Sequence, residues 1–205
     1  MTRIRKSLAA SAAVVFFAAM ALAAPAGQTV AQPKAETPIL VTSCGQSTGP
    51  TMIKVCLQRV KLAFDVDTLA GPAVLQAKAK AGTPYKALII TMGASLKGMG
   101  AAGISIDDEL ERAAALIAEA HKEGITVIGA HVEGLKRRAQ GAAAGDTTDE
   151  QTIDTVAPQS NILVVYKEGN SDGRFTTISK SKGIPLIEFE KNMDLIPVLE
   201  RLFAK

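Results

Sequence analysis

Short hydrophobic runs alternate with amphipathic stretches along most of the chain. The clearest run, residues 87–92 (ALIITM), is apolar on both faces of an extended chain, which is typical of a strand inside a parallel sheet. Similar runs predict further strands. These lie at 39–42, 63–68, 125–130, 162–166 and 185–189.

The most regular helical pattern begins after Ser105 and ends before Gly124. Ser105 is suited to cap the first turn, acidic residues at 107–109 favour the positive end of the helix dipole, and Gly124 is suited to end the helix. Apolar residues recur between them at helical spacing, which indicates one buried face. Further helices are predicted at 51–61, 69–81, 172–182 and 193–203.

Strands and helices therefore alternate from residue 38 to the end of the chain. The connections are too long for hairpins, so the strands are expected to be parallel and joined by right-handed helical crossovers. We predict a single α/β domain over residues 38–205, built as a three-layer sandwich. Its mostly parallel sheet has five to six strands in flavodoxin-like or Rossmann-like order.

The first 26 residues have the pattern of a targeting segment. A basic start is followed by an uncharged, alanine-rich run and by a small-x-small site before Gly27. This predicts a cleaved Sec-type signal peptide over 1–26, a disordered tether over 27–37, and a periplasmic or secreted protein. The alternative is a retained membrane anchor, because the apolar run is near the shortest length that spans a bilayer.

The positive net charge of the chain comes from residues 1–26. The whole chain carries 23 Lys+Arg against 20 Asp+Glu, and three of the basic residues but no acid lie in residues 1–26. The remaining chain is neutral, so no nucleic-acid partner is expected, and no membrane contact after signal cleavage. Attraction for an anion must then come from local groups.

The candidate site lies where the predicted strands end. Carboxyl ends of parallel strands share one edge of the sheet, and ligands bind there near the point where strand order reverses. Glycine-rich and polar segments follow four strands, and the segment at 93–103 has four glycines whose backbone N–H groups could hold an anion. The candidate ligand-binding residues are Ser43, Gly45, Gln46, Ser47, Gly93, Ser95, Lys97, Gly98, His131, Glu133 and Asn170.

Other chemistry has less support in the residues. No phosphate-loop or dinucleotide motif is present, so no cofactor is expected, and two histidines are too few to predict a metal site. His131 could serve as an acid or base in a hydrolase or transferase. The pairing of Cys44 with Cys56 stays open. Residues 136–145 are either a mobile basic lid or a solvated charge run before a flexible loop.

Three stretches carry a resemblance to a known family: PILVTSCGQSTGPTMIKV, ALIITMGASLKGMGAAGISIDDEL and YKEGNSDGRFTTISKSKGIPL. From residue 38 to 205 the chain resembles a family of exported bacterial single-domain α/β proteins of unknown function. The resemblance implies fold and export but no activity. We therefore expect a periplasmic protein that binds a small polar or anionic solute, accessory to a membrane transporter or sensor. A periplasmic hydrolase or transferase using His131 is the alternative.

Overall fold

The computed structural model describes residues 33–139 and 146–204. The predicted signal peptide, the first part of the predicted tether (27–32) and most of the glycine- and alanine-rich segment after Arg138 lie outside the described residues. Within the described residues, helices and strands follow one another from Ile39 to Leu202.

A six-stranded, all-parallel sheet forms the centre of the domain. Its strands run β2-β1-β3-β4-β5-β6 across the sheet, so strand order reverses between β1 and β3. This confirms the predicted α/β sandwich and gives the flavodoxin-like order, extended by one strand. The strands are β1 (Ile39–Cys44), β2 (Phe64–Val66), β3 (Ala87–Met92), β4 (Thr126–His131), β5 (Ile162–Tyr166) and β6 (Leu186–Phe189).

Helices cover both faces of the sheet, because each face of the interior strands is apolar. The helices are α1 (Gly49–Arg59), α2 (Pro72–Lys80), α3 (Leu96–Ala102), α4 (Ile106–Lys122), α5 (Thr148–Val156), α6 (Arg174–Lys182) and α7 (Leu195–Leu202). Leu88 and Ile90 of β3 pack on the face covered by α2, α4, α5 and α6, whereas Ala87 and Ile89 pack on the face covered by α1 and α7.

Two segments differ from their predicted structure. The glycine-rich segment predicted as an open loop is mostly α3, which Ser95 caps and Gly103 ends in a left-handed conformation. The region after β4 contains a 3₁₀ turn, Gly134–Arg137, and helix α5. The carboxyl edge of the sheet is therefore covered by short helical pieces rather than by open loops.

The residues before β1 lie at the opposite, amino edge of the sheet. The Ala35 backbone N–H donates to the Leu202 carbonyl at 2.9 Å, and the Lys34 Nζ donates to the carbonyls of Arg201 and Ala204 at 3.2 Å each. Residues 33–37, the last part of the predicted tether, are thus bound to the end of α7. None of the helices over 33–139 and 146–204 is long and apolar enough to cross a membrane.

Candidate functional site

The loops that follow β1 and β3 meet at the point where strand order reverses. A Cβ added to Gly45, whose φ is +104°, would lie 2.5 Å from the Gly93 carbonyl oxygen, so only glycine fits there. The Ser95 N–H donates to the Gly45 carbonyl at 2.6 Å, and Gln46 forms a bridge with Ala94. We call residues 45–48 and 93–95 the switch-point loops. They pack directly against each other.

Two carboxylates of the protein itself accept hydrogen bonds from two backbone N–H groups of these loops. Gly45 N–H donates to Glu109 Oε1 at 2.9 Å, and Ala94 N–H donates to Asp149 Oδ1 at 2.6 Å. Glu109 is fully buried; its Oε1 also accepts the Gln46 side-chain amide at 2.7 Å, and its Oε2 is paired with Arg112. The predicted anion cradle is therefore filled from within by α4 and α5.

The remaining predicted residues of this region differ in what they contact. Ser95 Oγ accepts the Gly98 N–H at 3.1 Å as the cap of α3, and a Cβ on Gly98 would lie 2.1 Å from the Gln46 carbonyl oxygen. Lys97 is exposed on α3. Ser43 is buried, and its hydroxyl has no hydrogen-bond partner among the described residues.

His131 lies at the end of β4 and is fully buried. Its Nε2 is 2.9 Å from the Arg137 carbonyl oxygen, which requires the proton on Nε2, and its ring centroid is 5.1 Å from that of Phe175. Gly169 packs against the ring so closely that a Cβ there would be 2.6 Å from Nδ1. Burial lowers the pKa of His131, so the ring is neutral near pH 7.

That placement makes His131 an anchor for the turn after β4. A side chain with no exposed surface cannot reach a substrate in the crevice, so the geometry gives no support to an acid–base role. Asn170 is likewise committed: its Nδ2 donates to Thr176 and Glu188 at 2.8 Å each, and its Oδ1 accepts the Phe175 N–H at 2.8 Å. Both residues hold local structure together.

An open pocket of about 440 Å³ lies beyond the carboxyl ends of β4 and β5. We call it the β4–β5 pocket. Of the predicted binding residues only Glu133 lines it. The other lining residues belong to no sequence motif, although the Lys136–Arg138 run is recognisable in the sequence as a basic cluster. The lining residues are Thr48, Met52, Val132, Glu133, Leu135, Lys136, Arg137, Tyr166, Glu168 and Asn192.

Glu133 joins the wall of the β4–β5 pocket to the start of α1. Its two oxygens accept the Thr48 hydroxyl at 2.6 Å and the Gly49 N–H at 2.9 Å, and Arg137 Nε lies 3.4 Å away. Burial alone would raise the pKa of Glu133, but the hydroxyls of Ser47 and Thr48 and the nearby guanidinium outweigh it and lower that pKa. Glu133 is therefore ionised, and its hydrogen bonds connect the residues after β4 to the start of α1.

Arg137 is held in the same wall by two contacts. Its Nη1 donates to the Ala94 carbonyl at 2.7 Å, which links the β4–β5 pocket to the switch-point loops, and its Nε faces Glu133. Among the described residues its Nη2 has no hydrogen-bond partner. The guanidinium is thus oriented in advance and keeps unused N–H groups at the pocket.

The next residue, Arg138, is buried behind this wall. Its guanidinium binds Glu150 at 2.7 Å, Asp172 at 2.6 Å and the Gly169 carbonyl. Those two carboxylates raise the pKa of Arg138 above its ordinary value despite its burial, and the hydrogen bond from Arg138 lowers the pKa of Asp172 to about 2. This network fixes the turn that carries Lys136 and Arg137, because Arg138 directly follows the last residue of that turn.

The two thiols are not paired with each other in this arrangement. Cys44 and Cys56 are free and buried, and they belong to the cores on opposite faces of the sheet. Burial, followed by the charge of Glu109, raises the pKa of the Cys44 thiol to about 12, so it is not a thiolate at neutral pH. Over 33–139 and 146–204, no group of three or more His, Cys, Asp or Glu side chains could hold a metal ion.

Comparison with known proteins gives a family and a distant set of similar folds. No curated protein matches the sequence. Among solved structures, an acetyl xylan esterase, AlAXEase, is 10% identical over 77% of this chain and 80% of its own, with a TM-score of 0.38. The psychrotrophic esterase EstA from Pseudoalteromonas sp. is 10% identical over 74% of this chain and 76% of its own, with a TM-score of 0.33.

A GDSL-like lipase from Bacteroides thetaiotaomicron is 11% identical over 75% of this chain and 71% of its own, with a TM-score of 0.34. Likeness at this level carries no activity over to the chain. The sequence profile of one family, in contrast, matches residues 36–203, which is nearly the whole described domain. The chain belongs to the family described as Domain of unknown function (DUF6305).

Proposed function

We propose that this protein is exported and binds a small polar or anionic solute in the β4–β5 pocket, as an accessory to uptake or sensing. The observation that carries the proposal is the Arg137 guanidinium, oriented by Ala94 and Glu133 and left with unused N–H groups beside a cavity of about 440 Å³. An oriented guanidinium is well matched to carboxylate and other oxyanion groups.

The position and lining of the pocket support the same function. It lies at the edge where parallel α/β sheets bind ligands, and its volume is in the range of small-molecule sites. Apolar side chains of Met52, Val132 and Leu135 stand beside the polar groups of Tyr166 and Asn192. Such a mixture suits a small solute that has both a polar group and some apolar surface.

A thermal-shift screen of the purified protein against carboxylates, amino acids and oxyanions tests this function. A ligand at 100 times its dissociation constant should stabilise the fold by about 2.7 kcal/mol, or raise Tm by about 5–10 °C for a domain of this size. Absence of a shift with every solute, including after partial unfolding to release a carried ligand, would overturn the proposal.

Three variants locate the binding. Asn192→Trp places a large ring at the rim of the β4–β5 pocket and should abolish the shift, while the adjacent exposed Met193→Trp, outside the lining, should keep it. Lys97→Met, on α3, should also keep the shift. If Lys97→Met loses the shift and Asn192→Trp retains it, the ligand binds at the switch-point loops and the proposed site is wrong.

Export is tested separately. The protein expressed from its full sequence in a bacterial host is expected in the periplasmic fraction, and sequencing of its N-terminus is expected to begin at Gly27. Recovery in the membrane fraction with residues 1–26 intact would instead favour the retained anchor. A transporter or sensor subunit that co-purifies only with the ligand-loaded protein would identify the partner expected for an uptake or sensing accessory.

A further inference from the structure

Two charges of opposite sign in the β4–β5 pocket have no partner. Lys136 and Glu168 both line the cavity and are exposed. Neither side chain forms a hydrogen bond or ion pair within the part of the chain that the structure describes, and their charged atoms are too far apart to pair with each other. Glu133, in the same lining, is by contrast fully used by its protein partners.

The Glu168 carboxylate lies close to the backbone of Gly134. A Cβ added to Gly134, whose φ is +62°, would lie 2.5 Å from Glu168 Oε2 and 2.9 Å from the ring of Tyr166. The carboxylate therefore lies over Gly134, directly before the turn residues that carry Lys136. This places the Glu168 carboxylate beside the turn that carries Lys136.

We infer that the solute is a small zwitterion, a free α-amino acid or a close analogue, whose carboxylate is bound by Lys136 and Arg137 and whose ammonium group is bound by Glu168. This rests on the proposed function. The four charged lining residues sum to zero, so a ligand with one charge would leave an opposite charge unmatched. Met52, Val132 and Leu135 supply an apolar surface for a side chain.

Calorimetric titration with the protein amino acids, together with single-charge analogues, tests the inference. For leucine the analogues are 4-methylpentanoate, which lacks the ammonium group, and 3-methylbutylamine, which lacks the carboxylate. Each analogue should bind at least about tenfold more weakly than the amino acid, because a hydrogen bond to a charged group is lost. Equal binding of the amino acid and its carboxylate analogue would overturn the inference.

Two variants identify the side chains that bind each charged group of the ligand. Lys136→Met should weaken amino-acid binding about tenfold and reduce its advantage over the amine analogue, of which Arg137 retains a part. Glu168→Gln should weaken amino-acid binding by a similar factor and abolish its advantage over the carboxylate analogue. Exposed residues outside the pocket give the matched controls Lys80→Met and Glu111→Gln, which should bind as the unaltered protein does. An unchanged affinity in Glu168→Gln would overturn the inference.

The outcomes separate this inference from the function on which it rests. If no amino acid binds but a simple carboxylate or oxyanion does, the zwitterion is wrong and solute binding stands. If nothing in the wider screen binds, both fail. Binding of an amino acid that is insensitive to Asn192→Trp would place the zwitterion elsewhere on the protein and overturn the inference for this pocket.

Discussion

The switch-point loops and the β4–β5 pocket lie at the same edge of the sheet and treat their polar groups in opposite ways. At the switch point, Glu109 and Asp149 accept the backbone N–H groups of Gly45 and Ala94. In the pocket, Lys136 and Glu168 have no partner among the described residues. Glycine-rich loops therefore indicate a close approach to the backbone, and the group that approaches can be the protein itself.

The largest effect is expected from removing the carboxylate that fills the switch point. Glu109→Ala leaves Arg112 without its ion partner and the Gly45 N–H without an acceptor, and breaking such a buried pair costs about 3–5 kcal/mol. Urea denaturation measures this loss. Glu111→Ala, on the exposed side of the same helix, is the control and should change the free energy of unfolding by no more than about 0.5 kcal/mol. A cost for Glu109→Ala as small as that would show that the switch point is not held from within.

A second substitution probes the contact between the two regions. A Cβ on Gly93 would lie 2.8 Å from Cβ and Cγ of Arg137, and its φ of +141° already disfavours other residues. Gly93→Ala should cost about 1–3 kcal/mol and also weaken solute binding, because it displaces the guanidinium. Gly100→Ala, where a Cβ meets open space, is the control. Gly93→Ala with unchanged solute affinity would show that the regions are independent.

The stability of the pocket wall should depend on pH through His131. Burial lowers its pKa below the ordinary value of 6.5, so the unfolded chain takes up a proton near pH 6.5 that the folded chain takes up only at lower pH. The free energy of unfolding should thus fall as the pH drops below about 6.5, before carboxylates with ordinary pKa values near 4 begin to titrate.

Denaturation at several pH values between 5 and 8 measures this dependence. His131→Gln retains an N–H donor toward the Arg137 carbonyl and should flatten the decline in the upper part of that range. His121→Gln, at the end of α4, should leave the decline in place because His131 is still present. A decline that survives in His131→Gln would assign it to another group.

The smallest effect is expected at a residue that the sequence placed in the site. The Ser43 hydroxyl is buried without a partner among the described residues, so removing it relieves a desolvated polar group. Ser43→Ala should be neutral or more stable by up to about 1 kcal/mol, and solute affinity should not change. A marked loss of solute affinity in Ser43→Ala would instead indicate that the solute binds near the switch-point loops.

The fold was predictable because its signals are local. The apolar run of β3 and the capped, amphipathic α4 are each complete within one stretch of sequence. Helix α3 was not predictable, because Gly98 and Gly100 disfavour a helix on their own. It forms because the Ser95 cap and the packing of Gly98 on Gln46 compensate, and that packing is tertiary.

The candidate site was less predictable than the fold, because its contacts are also tertiary. The sequence located the edge of the sheet at which the β4–β5 pocket lies, since parallel strands place all their carboxyl ends together. It could not distinguish occupied N–H groups from free ones, because Glu109 and Asp149 lie 64 and 55 residues from the loops they fill. The β4–β5 pocket draws on four separate connections, and no single stretch of sequence contains its pattern.

The contact of residues 33–37 with α7 has a practical consequence for the design of binding measurements. It fixes the start of the domain at the amino edge, and the six-residue strand β1 spans about 20 Å from there to the carboxyl edge. A biosensor surface, a fluorophore or a fusion protein joined upstream of Pro33 would therefore attach at the far side of the sheet. The chain is suited to immobilisation by its N-terminus, with the β4–β5 pocket facing the flow.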